Sequence, residues 1–140
     1  MLPPAAHEIA NVGALVSRAA RIHARRLAVT SASRAVTYQQ LEQRSNRLAN
    51  ALCGLGLQRG DRVGVYLPNC IEIVELELAC YKAALVKAPM NARLAPVEVA
   101  EVIANSEAAL VVTTAERAES FLPHLKGAAP RLLLLDAAQD

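Results

Sequence analysis

Aromatic residues are scarce: the 140-residue chain has no tryptophan, one phenylalanine and three tyrosines. A single-stranded nucleic acid needs aromatic platforms interleaved with cations. Without them the cluster Arg18, Arg21, Arg25 and Arg26, spaced i, i+3, i+7 and i+8, reads as the wet face of an amphipathic helix, and no nucleic-acid partner is expected. Cysteine is also sparse. Cys53, Cys70 and Cys80 form no C-x-x-C and have no histidine close by, so they imply neither a disulfide framework nor a zinc site, and the expectation is reduced thiols in a cytoplasmic protein. No apolar run approaches the roughly 20 residues of a membrane span. The opening MLPPAAHE lacks both the basic and the apolar region of a secretory signal, so a soluble, unexported chain is expected. Glycine is thin where a phosphate would need it. Gly54-Leu55-Gly56 closes a helix rather than joining a strand to a helix start, Thr113-Thr114 has no glycine beside it, and Gly127 stands alone.

The length suits one domain that buries roughly 68% of its surface on folding. Apolar residues make up 54% of the chain, much of the excess being alanine, and the formal charge of +2 is scattered. That composition suits a tight helical layer or a surface meant to be covered, which includes self-association through exposed apolar surface.

Periodicity divides the chain into alternating elements. Ile9 to Ala24 places Ile9, Val12, Leu15, Val16, Ala19 and Ile22 on one helical face. Leu27–Thr30 and Arg34–Val36 flank Ser31-Ala32-Ser33 as a hairpin. Thr37 and Gln40 form a capping box for a helix with the apolar stripe Leu41, Leu48, Ala51, Leu52 and Leu55. In that helix Glu42, Gln43, Arg44, Asn46 and Arg47 are expected to stay wet, and Gly56 ends it. Arg62 to Leu67 is a core strand. Asn69 is expected to cap a buried helix with Glu72, and Glu72 and Glu75 read as a solvated face rather than a catalytic pair. Leu85–Ala88 is a short strand before the loop Pro89 to Leu94. Pro96 opens a helix to Ser106, Ala109–Thr113 is an apolar strand, Ala115–Lys126 is a helix weakened by Pro123, and Arg131–Leu135 is a third buried strand. Strands alternating with helices predict an α/β fold with a layered, largely parallel sheet and helices on both faces.

Several segments, in this order and spacing, are similar to a known family. Val36-Thr37-Tyr38-Gln39-Gln40-Leu41 resembles the motif L-T-Y-x-E-L. Gly60-Asp61-Arg62-Val63, Leu67-Pro68-Asn69 and Ala79 to Val86 follow, and Pro89-Met90-Asn91-Ala92-Arg93-Leu94 resembles a P-L-N-x-R-L loop. Together they resemble the N-terminal part of the adenylate-forming acyl-CoA synthetases, relatives of luciferases and of peptide-synthetase adenylation domains. The resemblance implies the first part of a large N-terminal domain, incomplete relative to that fold, with residues 1–140 stopping short of the phosphate-binding loop.

Members of that family activate a carboxylic acid, fatty or aryl, with ATP, magnesium and coenzyme A. This chain by itself is expected to bind no cofactor and to act as a scaffold without its own catalytic centre. The alternative is a standalone interaction module or degenerate paralogue that binds a partner protein or the rest of a synthetase. Departures from the family pattern include Ala84 in place of a glycine at a helix end, Ala92 in place of a proline, Ala95 in place of a hydroxyl cap, and the charged Lys87 in a strand.

Asn91 and Arg93 are the candidate cofactor-binding residues. They follow a strand of a parallel sheet, where ligands tend to bind, and the resemblance places their loop near a coenzyme A channel. The plainer expectation is that Asn91 ties down the turn and Arg93 pairs with a carboxylate. No catalytic or metal-ligating residue is expected: His7, His23 and His124 have no partner at ligand spacing and read as surface or helix-end residues.

Overall fold

Six strands and five helices alternate along residues 12–136, the part of the chain that the computed structural model describes. Helix α1 (Val12–His23) leads into the antiparallel hairpin β1 (Leu27–Thr30) and β2 (Ala35–Thr37), and α2 (Tyr38–Gly54) follows at once. Thr37 Oγ1 accepts from the Gln40 amide at 3.2 Å while Gln40 Oε1 accepts from the Thr37 amide at 2.9 Å, so the expected capping box starts α2. Gly56, at φ 87°, takes the left-handed turn beyond its end.

The main sheet follows: β3 (Arg62–Tyr66), α3 (Ile71–Ala83), β4 (Val86–Pro89), α4 (Pro96–Ser106), β5 (Leu110–Thr114), α5 (Ala115–Phe121), a short 3-10 turn at Leu122–His124, and β6 (Arg131–Leu135). Its strands are all parallel, in the order β4-β3-β5-β6. The fold class expected from the alternation is the one observed. Val63, Val65, Leu110 and Val112 meet α2 and α3 on one face, and Tyr66 and Val111 meet α4 and α5 on the other. A parallel sheet needs both faces covered because every connection between its strands crosses a face.

Several local expectations fail, each where packing outweighs pattern. In α1 the buried residues are Gly13 and Ala20, while Val12, Leu15 and Ile22 are 45–61% exposed, so small residues face the neighbouring helices and the larger apolar ones face out. Ile9 and His7 lie outside the described residues. In α2 the buried set is Leu41, Ser45, Ala49 and Leu52, and Leu55 is exposed. Cys70, not Asn69, occupies the cap position of α3, with no side-chain hydrogen bond. Glu75 is buried and ion-paired to Arg44 Nε at 2.5 Å, and Glu72 pairs with Arg34 at 2.6 Å, so neither belongs to a freely solvated face. β6 is an edge strand with Leu134 half exposed, not a buried one.

Glu42, expected to stay wet, is the hub of a polar cluster between α1, α2 and α3. Lys82 Nζ donates to Glu42 Oε2 at 2.6 Å, to Ser45 Oγ at 2.9 Å and to Asn46 Oδ1 at 2.7 Å, and Ser17 Oγ donates to Glu42 Oε1 at 2.7 Å. Burial opposes ionisation of Glu42, but the hydrogen bonds from Lys82, Ser17 and Asn46 and the Lys82 charge outweigh it and hold the carboxyl below its ordinary 4.5. A carboxyl whose folded value is depressed stabilises the fold above its unfolded value, and that contribution is lost as pH falls through the folded one.

The stability measured by urea denaturation is therefore expected to hold from about pH 7 to pH 5 and to fall below about pH 4.5. Lys82→Met should cost roughly 2 kcal/mol at neutral pH by stranding a partly buried carboxylate. Glu42→Gln should flatten the acid slope, leaving the share due to Glu72 and Glu77, whose carboxyls are also held low. An unchanged acid slope in Glu42→Gln would refute the role given to this cluster. Ala84, at the end of α3, sits at φ 54° and ψ 37°, the left-handed region in which a side chain is strained. Ala84→Gly should stabilise the chain by about 0.5–1 kcal/mol and raise the thermal midpoint by roughly 2–4 °C, whereas a lowered midpoint would contradict the strain.

Candidate functional site

The carboxyl ends of β3 and β4 open into a cavity of about 710 Å³ lined by Leu67, Pro68, Asn69, Ile73 and the run Pro89 to Arg93. Strand ends of a parallel sheet suit a ligand because the loops leaving them are free to carry side chains while the sheet below stays rigid. Asn91 and Arg93 both lie in this lining and are exposed.

Several backbone groups of the loop have defined partners. The Met90 amide donates to Val65 O at 2.9 Å and continues the β3–β4 ladder by one residue. Asn91 Oδ1 accepts from the Arg93 amide at 2.9 Å, and Asn91 O accepts from the Leu94 amide at 3.1 Å, an Asx turn of the kind asparagine favours. The Ala95 amide donates to Glu98 Oε2 at 2.7 Å, half a capping box surviving without a hydroxyl at position 95. From outside the loop, Arg117 Nη1 donates to Ala92 O at 3.1 Å and the Tyr66 hydroxyl to Leu94 O at 3.3 Å.

Asn91 thus ties down the turn. The carboxylate partner expected for Arg93 is not there: its guanidinium makes no hydrogen bond or ion pair among the described residues, because Glu98, the acid nearest in sequence, is turned back onto the Ala95 amide. Arg117 and Tyr66 are not in the cavity lining but hold its loop from outside, a role that their sequence context does not announce. Arg117 stands 24 positions beyond Arg93 in an unremarkable helix, and only the folding of β5 beside β3 brings it to the loop.

Several other groups that could carry chemistry are otherwise occupied. Thr113 Oγ1 donates to Tyr66 O at 2.9 Å, and Thr114 Oγ1 accepts from the Arg117 amide at 3.4 Å, so both hydroxyls serve the fold. Burial pushes the Cys80 thiol up to about 11, and burial also raises Cys70, so neither is a thiolate at neutral pH. His23 rests against Tyr38 with ring centroids 6.2 Å apart, and His124 lies in the turn after α5. Among the described residues no group of three His, Cys, Asp or Glu could hold a metal, and no helix is long and apolar enough to cross a membrane.

A second cavity, about 390 Å³, is an apolar groove. Leu48, Ala51, Leu76, Val112, Leu133 and Leu135 line it, together with the charged Arg44, Arg47, Glu72 and Glu75.

The model of the family described as "AMP-binding enzyme" matches residues 16–139. The 3-oxocholest-4-en-26-oate–CoA ligase of Rhodococcus rhodochrous is 39% identical over 97 residues, covering 69% of this chain and 18% of that protein. The feruloyl-CoA synthase of Amycolatopsis sp is 36% identical over 131 residues, 92% of this chain and 27% of that one. Among solved structures, a Mycobacterium tuberculosis fatty acyl CoA synthetase superimposes with a TM-score of 0.82 at 29% identity, over 91% of this chain and 27% of that chain. The chain spans little more than a quarter of the length of these relatives at most.

Proposed function

The chain belongs to the AMP-binding enzyme family, and from that premise we propose that it is the N-terminal scaffold of an AMP-forming acyl-CoA ligase, carrying no catalytic centre of its own. The observation that carries this reading is the alignment of 92% of the chain with only 27% of a feruloyl-CoA synthase. In this reading residues 1–140 supply the first strands and helices of a carboxylate-activating domain. The complete enzyme joins a carboxylic acid, fatty or aryl, to coenzyme A with ATP and magnesium in the cytoplasm. The relatives' names span a steroid side-chain acid and an aryl acid, which supports the class and no single substrate.

The residues present do not fit ATP or its magnesium. A triphosphate needs clustered backbone N–H groups and a cation, whereas the Thr113 and Thr114 hydroxyls are engaged in the fold. In this reading none of the described residues takes part in activation. Coenzyme A fits better. Its phosphates would meet the Arg93 guanidinium, which has no partner among the described residues and whose planar fork suits bidentate contact with phosphate, on a loop tied by Asn91 beside a cavity large enough for a pantetheine arm.

A second reading, a non-catalytic interaction module or degenerate paralogue, is favoured by the apolar groove and by the exposed Val12, Leu15 and Ile22 on α1. A stable monomer that captures a synthetase or another partner in a pull-down would favour it, whereas soluble aggregates that bind an apolar dye would speak for a scaffold separated from its cover.

The 140-residue chain is expected to give no carboxylate-dependent ATP–pyrophosphate exchange above a buffer blank, and exchange above it would overturn the scaffold reading. In isothermal titration, coenzyme A should bind weakly and Arg93→Ala should weaken it by roughly ten-fold, the worth of one charge-assisted contact. Equal binding by the variant would remove Arg93 from the proposal.

A further inference from the structure

Arg93 is pinned through its own backbone and through that of both neighbours. Its amide donates to Asn91 Oδ1, the carbonyl before it, Ala92 O, accepts from Arg117 Nη1 at 3.1 Å, and the carbonyl after it, Leu94 O, accepts from the Tyr66 hydroxyl at 3.3 Å. The two outside donors form one unit. The Arg117 guanidinium carbon lies 4.6 Å from the centre of the Tyr66 ring, a cation–π contact. Phe121, fully buried one turn further along α5, meets the same ring edge-on at 6.2 Å and 71°. Tyr66 is itself buried, and its carbonyl accepts from Thr113 Oγ1 at 2.9 Å.

We infer that Arg117 and Tyr66 are positioning residues: they hold the carbonyls on either side of Arg93 and so fix the direction in which its side chain leaves the loop and enters the cavity. Neither touches the ligand. Arg117 stands on α5, after β5, and Tyr66 ends β3, so the loop that follows β4 takes its pose from two other strands of the sheet. A charged side chain whose backbone is already ordered avoids the cost of ordering it on binding. The inference rests on the coenzyme A reading above only for what Arg93 contacts; the brace itself is a property of the free chain.

Amide hydrogen exchange read by NMR on the 140-residue chain separates the two. In Arg117→Met, which keeps an unbranched apolar stem and loses the charge and donors, exchange at the Arg93 and Leu94 amides should accelerate roughly five-fold, while the Leu52 and Val63 amides in the core stay as they were. Tyr66→Phe should accelerate the same two loop amides. Arg117→Lys, which retains a cation over the ring and a donor, should stay near the wild-type rates. Unchanged loop exchange in Arg117→Met, or acceleration spread equally to the core amides, would overturn the brace.

In coenzyme A titrations Arg117→Met should weaken binding in the parent chain and have no further effect in an Arg93→Ala background, because it acts through Arg93. A full additive effect of the two substitutions would mean that Arg117 meets the ligand directly and is no positioning residue. A parent chain that binds no coenzyme A would refute the ligand reading, and the exchange rates would still decide the brace.

Discussion

Everything in this chain hangs on a sheet whose strands all run the same way. Parallel neighbours cannot be joined by a tight turn, so each pair costs a crossover helix, and those helices must bury both faces of the strands they connect. β3 takes the strictest form of that demand. Four of its five residues are buried, and Gly64 has Met90 on one approach and Val111 on another, so a Cβ there would come within 3.0 Å and 3.1 Å of them. A glycine inside a strand is otherwise a weakness; here it lets Met90 settle against β3, which sets the level at which the next loop leaves the sheet.

The charged layer under the helices follows from the same packing. Once α2 and α3 are pressed together, Glu42, Lys82, Arg44 and Glu75 cannot all reach bulk water, and each finds an opposite charge within 2.6 Å. Such pairs add little net stability compared with apolar packing, but an unmatched member is costly, so they act as a register for how the helices sit. α3 starts just beyond Pro68 and Asn69, which line the cavity, and the placement of the helix is therefore felt at the mouth of the site.

Local sequence signals match the structure where the physics is local. The Thr37–Gln40 capping box, the turn at Gly56, Pro96 at the start of α4, the break at Pro123 and the Asn91 turn each depend on residues within four positions of one another. Residues whose environment depends on a distant partner depart from their local pattern. Glu42 and Glu75 look like solvent-facing acids until Lys82 and Arg44 arrive from the other helix. Asn69 looks like a better cap than Cys70, yet α3 begins at Ile71, a residue buried beside Val36 and Leu41. Leu132 to Leu135 look like a buried strand because four leucines in a row do not say whether a neighbour lies on each side.

By itself the sequence determined the α/β class, the order of the elements, the family and the identity of the polar loop, because periodicity, caps and motif spacing are written along the chain. Only the tertiary structure decided that Arg93 lies beside a cavity with no ion-pair partner among the described residues and that Arg117 and Tyr66 hold the peptide on either side of it. The reason is distance. Tyr66 and Arg117 are 51 positions apart in the chain (117 minus 66), and nothing in the spacing of either announces the other. They meet because β3 and β5 pair directly while the strand between them in sequence, β4, is placed on the far side.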